Sequence, residues 1–150
     1  MRFLYYDRVT KIEKGKSIEG VKAFSLSEEF LKGHFPVKAL VPGVIFIEAM
    51  AQLLGWLIIY SHDFQVSPIM SLVEGVEVAS DLRPGFTAQM RGEIISTSKR
   101  DTLGRAETFV EGRRVASIER IIYSHFHGAD AAELRARFEY YSGLRADGTR

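Results

Sequence analysis

Residues 33–61 read GHFPVKALVPGVIFIEAMAQLLGWLIIYS, and they divide at Gly43. Before it lies a loop constrained by Pro36 and Pro42, which fix their own φ and push the residues before them towards extended backbone. After it the spacing predicts one helix from Gly43 to about Ser61, roughly 28 Å long at 1.5 Å per residue. Val44, Ile45, Phe46, Ile47, Met50, Leu53, Leu54, Trp56, Leu57 and Ile58 leave that helix apolar on nearly every side. A helix of this kind has to be covered all round, which places it at the centre of the fold. One carboxylate, Glu48, interrupts it.

Working outward, Phe3–Glu13 and Ser17–Ser25 read as two strands joined by a hairpin at Lys14-Gly15-Lys16. Ser27–Lys32 reads as one or two helical turns, with Ser27 as N-cap and Gly33 as stop. Beyond the long helix, Ser67–Ala79 reads as a strand entered through Pro68. Ala88, Met90, Gly92 and Ile94 alternate with Gln89, Arg91 and Glu93, which predicts a strand with one wet face. Gly104–Glu111 and Arg114–Tyr123 follow, joined near Gly112, with Ala106, Thr108 and Val110 on one side. After Tyr123 the character changes. Asp130 can cap a short helix through Ala131, Leu134, Phe138 and Tyr141, and Arg145–Arg150 reads as a frayed tail.

The class is therefore α+β: a long central helix wrapped by a curved antiparallel sheet, with a short extra C-terminal helix. Residues 1–123 form the body, and 124–150 a helical extension and tail of the same domain. A single sheet wrapped on one helix leaves its edges open, which predicts edge-to-edge dimerisation.

Composition excludes several classes of function. At 150 residues the chain suits one domain, and 46% hydrophobic with 26% charged residues excludes wholesale disorder. A net charge of +1 argues against a nucleic-acid partner. With no cysteine, disulfides, thiolate nucleophiles and cysteine metal sites are ruled out. The apolar run Phe3–Tyr6 is too short for a signal-peptide core. Val44–Tyr60 falls short of the ~20 apolar residues of a membrane span and carries Glu48 and Gln52. A cytoplasmic protein with no membrane association is expected.

The chemistry gathers in the same stretch. Glu48 and Gln52 are four apart and share a helix face. On a helix covered on all sides a carboxylate loses its water, which disfavours the charged form and suits a general acid. His34, on a proline-stiffened loop, can serve as a base near neutrality. That loop leads to the helix N-terminus at Gly43, whose N–H groups and dipole suit an oxygen gaining negative charge. Gly43 carries no side chain, so a substrate could approach closely. Base, acid and oxyanion donor together suit proton abstraction α to a carbonyl and loss of a β-hydroxyl as water.

The pattern GHFP…L-x-PG-V-x-x-x-EAMAQ closely resembles the signature of the 3-hydroxyacyl-acyl-carrier-protein dehydratases, the FabZ type of the hot-dog fold. In that family the histidine of GHFP and the glutamate of EAMAQ are the catalytic pair, fourteen residues apart, and here 48 − 34 = 14. Tyr6-Asp7-Arg8-Val9 is similar to the family's N-terminal DRV segment. The resemblance implies dehydration of a 3-hydroxyacyl thioester, carried by acyl carrier protein or coenzyme A, to a trans-2-enoyl thioester. It implies His34 and Glu48 as catalytic residues drawn from different subunits of a homodimer or a trimer of dimers, and no cofactor. Gly43, Val44, Phe35 and Gln52 are the expected substrate-binding residues. The chain departs from the family at Val37-Lys38-Ala39, where Gly-Arg-Pro is usual, and at Glu74–Asp81, acidic where the family is basic and aromatic. Those departures bear on carrier contact and acyl-chain choice rather than on the chemistry.

Two other functions are weighed against this one. A thioesterase of the same fold would use Glu48 to activate water but leaves GHFP without a role, and a non-catalytic acyl-thioester binding module would have no use for the pair. His125 and His127 lie on one side of an extended segment, but two imidazoles do not make a metal site, and none is expected. His62 reads as a favourable charge at the helix C-terminus. No Gly-x-Ser-x-Gly motif occurs. Lys99-Arg100 and Arg113-Arg114 read as exposed turn residues.

Overall fold

A computed structural model describes residues 3–150. Its elements in chain order are β1 (Arg8–Glu13), β2 (Ser17–Phe24), a 3-10 turn (Glu29–Gly33), α1 (Gly43–Ser61), β3 (Val66–Val78), β4 (Phe86–Thr97), β5 (Asp101–Val110), β6 (Arg113–His127) and α2 (Ala131–Ser142). The six strands form one sheet in the order β1-β2-β4-β5-β6-β3, antiparallel throughout, so β1 and β3 are its edges.

α1 starts at Gly43, directly after Pro42, and ends at Ser61. The sheet approaches it closely because glycines stand under its leucines. A Cβ on Gly20 would come within 2.7 Å of Leu53, and one on Gly92 within 2.8 Å of Leu54. Leu53, Leu54, Leu57 and Ile58 are buried there with Ile18, Met90, Ala106 and Ile118. By length and composition α1 would pass for a membrane span, yet here it is the core helix of the sheet.

The cover is incomplete, and this corrects the expectation of a helix enclosed on all sides. Val44 is 64% exposed, and Ile47, Glu48, Gln52, Gly55 and Trp56 are only half-buried. These positions form the stripe of α1 that faces away from the sheet. The N-terminal segment and α2 cover only part of it.

Four local readings also change. Phe3–Asp7 is not strand: Tyr5 and Tyr6 are buried against α1, and β1 begins at Arg8. Ser27 does not cap the 3-10 turn, because its hydroxyl is engaged with that of Ser25 at 2.7 Å. β6 continues to His127, since its last residues pair with the start of β3. The tail is folded rather than frayed: Leu144 is buried, Tyr60 donates to the Asp147 carbonyl, and Glu139 accepts from the Ala146 N–H.

α2 begins as expected, with Asp130 Oδ1 accepting from the N–H groups of Ala132 (2.9 Å) and Glu133 (3.2 Å). Phe138 anchors it on α1. Its ring is fully buried between Trp56, Tyr60 and Phe64, with centroids 5.5–5.6 Å away. Truncating such a ring costs about 3–5 kcal/mol.

His62 does not provide a charge at the end of α1. Its Nε2 meets Thr97 Oγ1 at 2.8 Å, and burial holds its pKa below the ordinary value, favouring the neutral ring. The acidic stretch on and after β3 is matched by arginines of β6: Glu74 pairs with Arg120, Glu77 with Arg114, and Asp81 with Arg113. All are exposed and worth little each.

Candidate active site

The loop after the 3-10 turn presents His34. Backbone bonds lace it: His34 N–H to Leu31 O (3.1 Å), Leu40 N–H to His34 O (3.1 Å), and a reciprocal pair between Phe35 and Lys38. The His34–Phe35 peptide is cis. His34 is exposed, and its Nδ1 lies 3.3 Å from the Phe30 carbonyl oxygen. A carbonyl only accepts, so this contact requires the proton on Nδ1. The Nε2 of the neutral ring then carries a free lone pair, as a base needs.

Glu48 is held by Gln52. Gln52 Oε1 accepts from the Tyr5 N–H at 2.9 Å, which orients its amide so that Nε2 donates to Glu48 Oε1 (2.9 Å) and to the Phe3 carbonyl (3.1 Å). Two strand-less residues of the N-terminal segment thus set the rotamer of the carboxylate through one amide. Three such bonds contribute about 0.5–1.5 kcal/mol each, enough to favour one orientation.

Glu48 and Gln52 open into a cavity of about 520 Å³, also lined by Tyr6, Trp56, Met70 and Tyr123. That is within the range of small-ligand sites. Its walls are largely apolar and aromatic. Burial, then the charge of Glu48, raises the pKa of both Tyr5 and Tyr123, so both phenols stay protonated beside the carboxylate. The Tyr123 hydroxyl donates to the Ala51 carbonyl at 2.7 Å, and Trp56 Nε1 donates to the Tyr6 oxygen at 2.5 Å. Burial pushes the Tyr6 phenol up to about 12.

The sequence-predicted residues fall into separate groups. Glu48 and Gln52 share the cavity, whereas His34 and Phe35 stand on the exposed loop outside its lining. Val44 is exposed at the start of α1. Gly43 keeps its place as the first residue of the helix, but the reason for its missing side chain differs from the one expected. A Cβ there would meet Val78 Cγ2 of the same chain at 2.5 Å, so the packing of β3, not the approach of substrate, requires the glycine. Tyr123, Trp56 and the α2 residues of the cavity, Leu134, Arg137 and Tyr141, belong to no motif. The family-like Asp7 is structural: its Oδ2 accepts from the Ala23 N–H at 2.7 Å, and Lys22 lies 3.5 Å from its other oxygen.

His125 and His127 are already engaged. His125 Nε2 meets Thr102 Oγ1 at 2.8 Å, and His127 Nε2 donates to the Lys99 carbonyl at 3.0 Å. Among the described residues no group of three or more metal-ligating side chains forms.

Comparison with known proteins sets this chain in a family. Residues 1–119 match the FabA-like domain. The 3-hydroxyacyl-[acyl-carrier-protein] dehydratase FabZ of Caldicellulosiruptor saccharolyticus is 34% identical over 118 residues, covering 78% of this chain and 84% of that protein. The protein of the same name from Pediococcus pentosaceus is 36% identical over 107 residues, 71% and 70% of the two chains. Among solved structures, a Streptococcus mutans protein bound to acetyl CoA superposes with a TM-score of 0.61 at 11% identity, over 87% of this chain and 94% of that one. That likeness supports the hot-dog fold alone. The matched span contains both His34 and Glu48, and the chain belongs to the FabA-like domain family, alongside the FabZ dehydratases.

Proposed function

We propose that the protein dehydrates 3-hydroxyacyl thioesters carried by acyl carrier protein, or by coenzyme A, to trans-2-enoyl thioesters in fatty-acid or related acyl-chain synthesis. The observation that carries this reading is a carboxyl group fixed by Gln52 at the mouth of an apolar cavity, in a chain that also presents an imidazole with its Nε2 free.

His34 Nε2 takes the proton from C2 of the substrate. The electron pair left on C2 forms the C2–C3 double bond, and the C3–O bond breaks. Glu48, as the general acid, gives a proton to the departing hydroxyl, which leaves as water. His34 has then gained one proton and Glu48 has lost one, and exchange with solvent restores both. Negative charge building on the thioester oxygen is met by the Gly43 N–H at the start of α1. Val44 and Phe35 flank the approach. The chemistry is proton transfer only and needs no cofactor.

The site is completed by a second copy of the chain. β3 has a free edge carrying exposed Ile69, Met70, Leu72, Val76 and Val78, an apolar border a lone subunit would leave to water. Dimerisation along it is the arrangement in which His34 of one copy serves Glu48 of the other, and the enzyme acts in the cytoplasm.

The test is an assay in which enoyl product and free thiol are followed together. Enoyl absorbance without thiol release is expected from a 3-hydroxyacyl thioester. Thiol release would instead make the protein a thioesterase, and neither signal, with saturable binding, a binding module.

A further inference from the structure

α2 lies outside the FabA-like match, which ends at residue 119, yet it borders the cavity that holds Glu48. Phe138 pins it across the second half of α1, where Trp56 and Tyr60 receive its ring. This docking brings Leu134, Arg137 and Tyr141 to the cavity wall. Along α1 the lining runs from Glu48 to Ile59, about 16 Å of helix. The carboxyl group therefore stands towards one end, and α2 lines the other.

The charges in this chamber are sparse. Glu48 and Arg137 are the only Asp, Glu, Lys or Arg in its described lining. Arg137 sits at the exposed rim and is close enough to Tyr6 for its charge to be felt there. Among the described residues it pairs with no carboxylate, whereas its neighbour Arg135 lies over the Phe64 ring at 5.1 Å. A guanidinium stays charged at any physiological pH and offers a planar fork suited to a carboxylate. The substrate's carrier arm has to reach solvent and the carrier, so the apolar chamber beyond Glu48 is left for the acyl chain.

We propose that α2 is the specificity element of this site: it closes the acyl cavity at the end remote from Glu48, and Arg137 binds a carboxylate carried at the far end of the acyl chain. The substrates so selected are 3-hydroxyacyl thioesters with an anionic terminus. This rests on the dehydratase reading above.

The experiment measures kcat/KM for pairs of 3-hydroxyacyl thioesters matched in length, one ending in methyl and one in carboxylate, over a series of lengths. In the native protein the carboxylate member should be preferred at the length that reaches Arg137. Arg137→Met should lose that preference by about 10- to 100-fold, the worth of a charge-assisted hydrogen bond, mainly in KM. Arg137→Lys should keep part of it. Equal selectivity in native protein and Arg137→Met at every length overturns the proposal and leaves the dehydratase reading standing. No enoyl product from any substrate overturns the dehydratase reading, and this proposal with it.

Discussion

His62 and His125 meet edge to face, their ring centroids 4.7 Å apart, and two threonines join their far nitrogens into one chain. The contacts are His62 Nε2 to Thr97 Oγ1 (2.8 Å), Thr97 Oγ1 to Thr102 Oγ1 (2.6 Å), and Thr102 Oγ1 to His125 Nε2 (2.8 Å). Three hydrogen bonds need three protons. The hydroxyls supply two, so one imidazole Nε2 donates and the other accepts. Charging both rings puts four protons on three contacts, and one bond is lost.

Burial is the leading cause holding both imidazoles below the ordinary 6.5; His62 and His127 add to it at His125, and His127 at His62, against the opposing pull of the Lys99 backbone and Asp101 on His125 and of Asp63 on His62. The unfolded chain therefore binds protons that the folded one refuses. Stability is complete above about pH 7 and is lost as pH falls through the ordinary imidazole value near 6.5. Thermal unfolding between pH 8 and 5 should follow that course, and a His62→Gln, His125→Gln double variant should lose most of the acid-side decline. An undiminished decline in the double variant would place the titration elsewhere.

His34→Ala and Glu48→Gln should each lower turnover by about 10²–10⁴, the usual contribution of a positioned acid or base. Because the two act in one step, the double variant should be little worse than either single one. Near-native turnover in either single variant would remove that residue from the mechanism. Gln52→Leu frees the Glu48 rotamer without removing the acid, so its loss should be smaller than that of Glu48→Gln.

Thr108 is fully buried on β5, and its hydroxyl finds no partner. An unsatisfied buried hydroxyl costs about 1–3 kcal/mol. Thr108→Val keeps the shape and removes the polar atom, so the melting temperature should hold or rise. A clear fall would mean that the hydroxyl is hydrogen-bonded in solution.

The free edge of β3 leads to a fourth expectation. Replacing Leu72 and Val76 with lysine puts charge on a border that would otherwise pair. Sedimentation should show the native protein as a dimer or larger and this variant shifted towards monomer, with activity falling in step. A native protein that sediments as a monomer while active would overturn the shared-site arrangement.

Much of this fold was legible because its signals are local. Pro42 and the apolar run after it placed α1, and Asp130 announced α2 as a residue whose carboxylate can accept from the first N–H groups of a helix. Alternation at Ala88, Met90 and Gly92 marked the inner face of β4. What was not legible depends on residues distant in sequence. Tyr5 gives up strand pairing because Gln52, 47 residues on, accepts its N–H. Arg145–Arg150 looks like solvent-loving tail by composition, yet Tyr60 reaches the Asp147 carbonyl 87 residues away. His62 loses its expected charge to burial against β4 and β6. For the site, the carboxylate and imidazole were marked by motif, but the chamber behind them is built from the N-terminus, α1, β3, β6 and α2, and no single window contains it.

Within one chain His34 stands outside the lining of Glu48's cavity, and this separation can be read genetically. If each site borrows its imidazole from the other copy, an inactive His34→Ala chain and an inactive Glu48→Gln chain complement one another. A mixed dimer holds one doubly damaged site and one with both residues intact. Random reassembly of equal amounts should then recover about a quarter of native activity, since half the dimers are mixed and each has one good site of two.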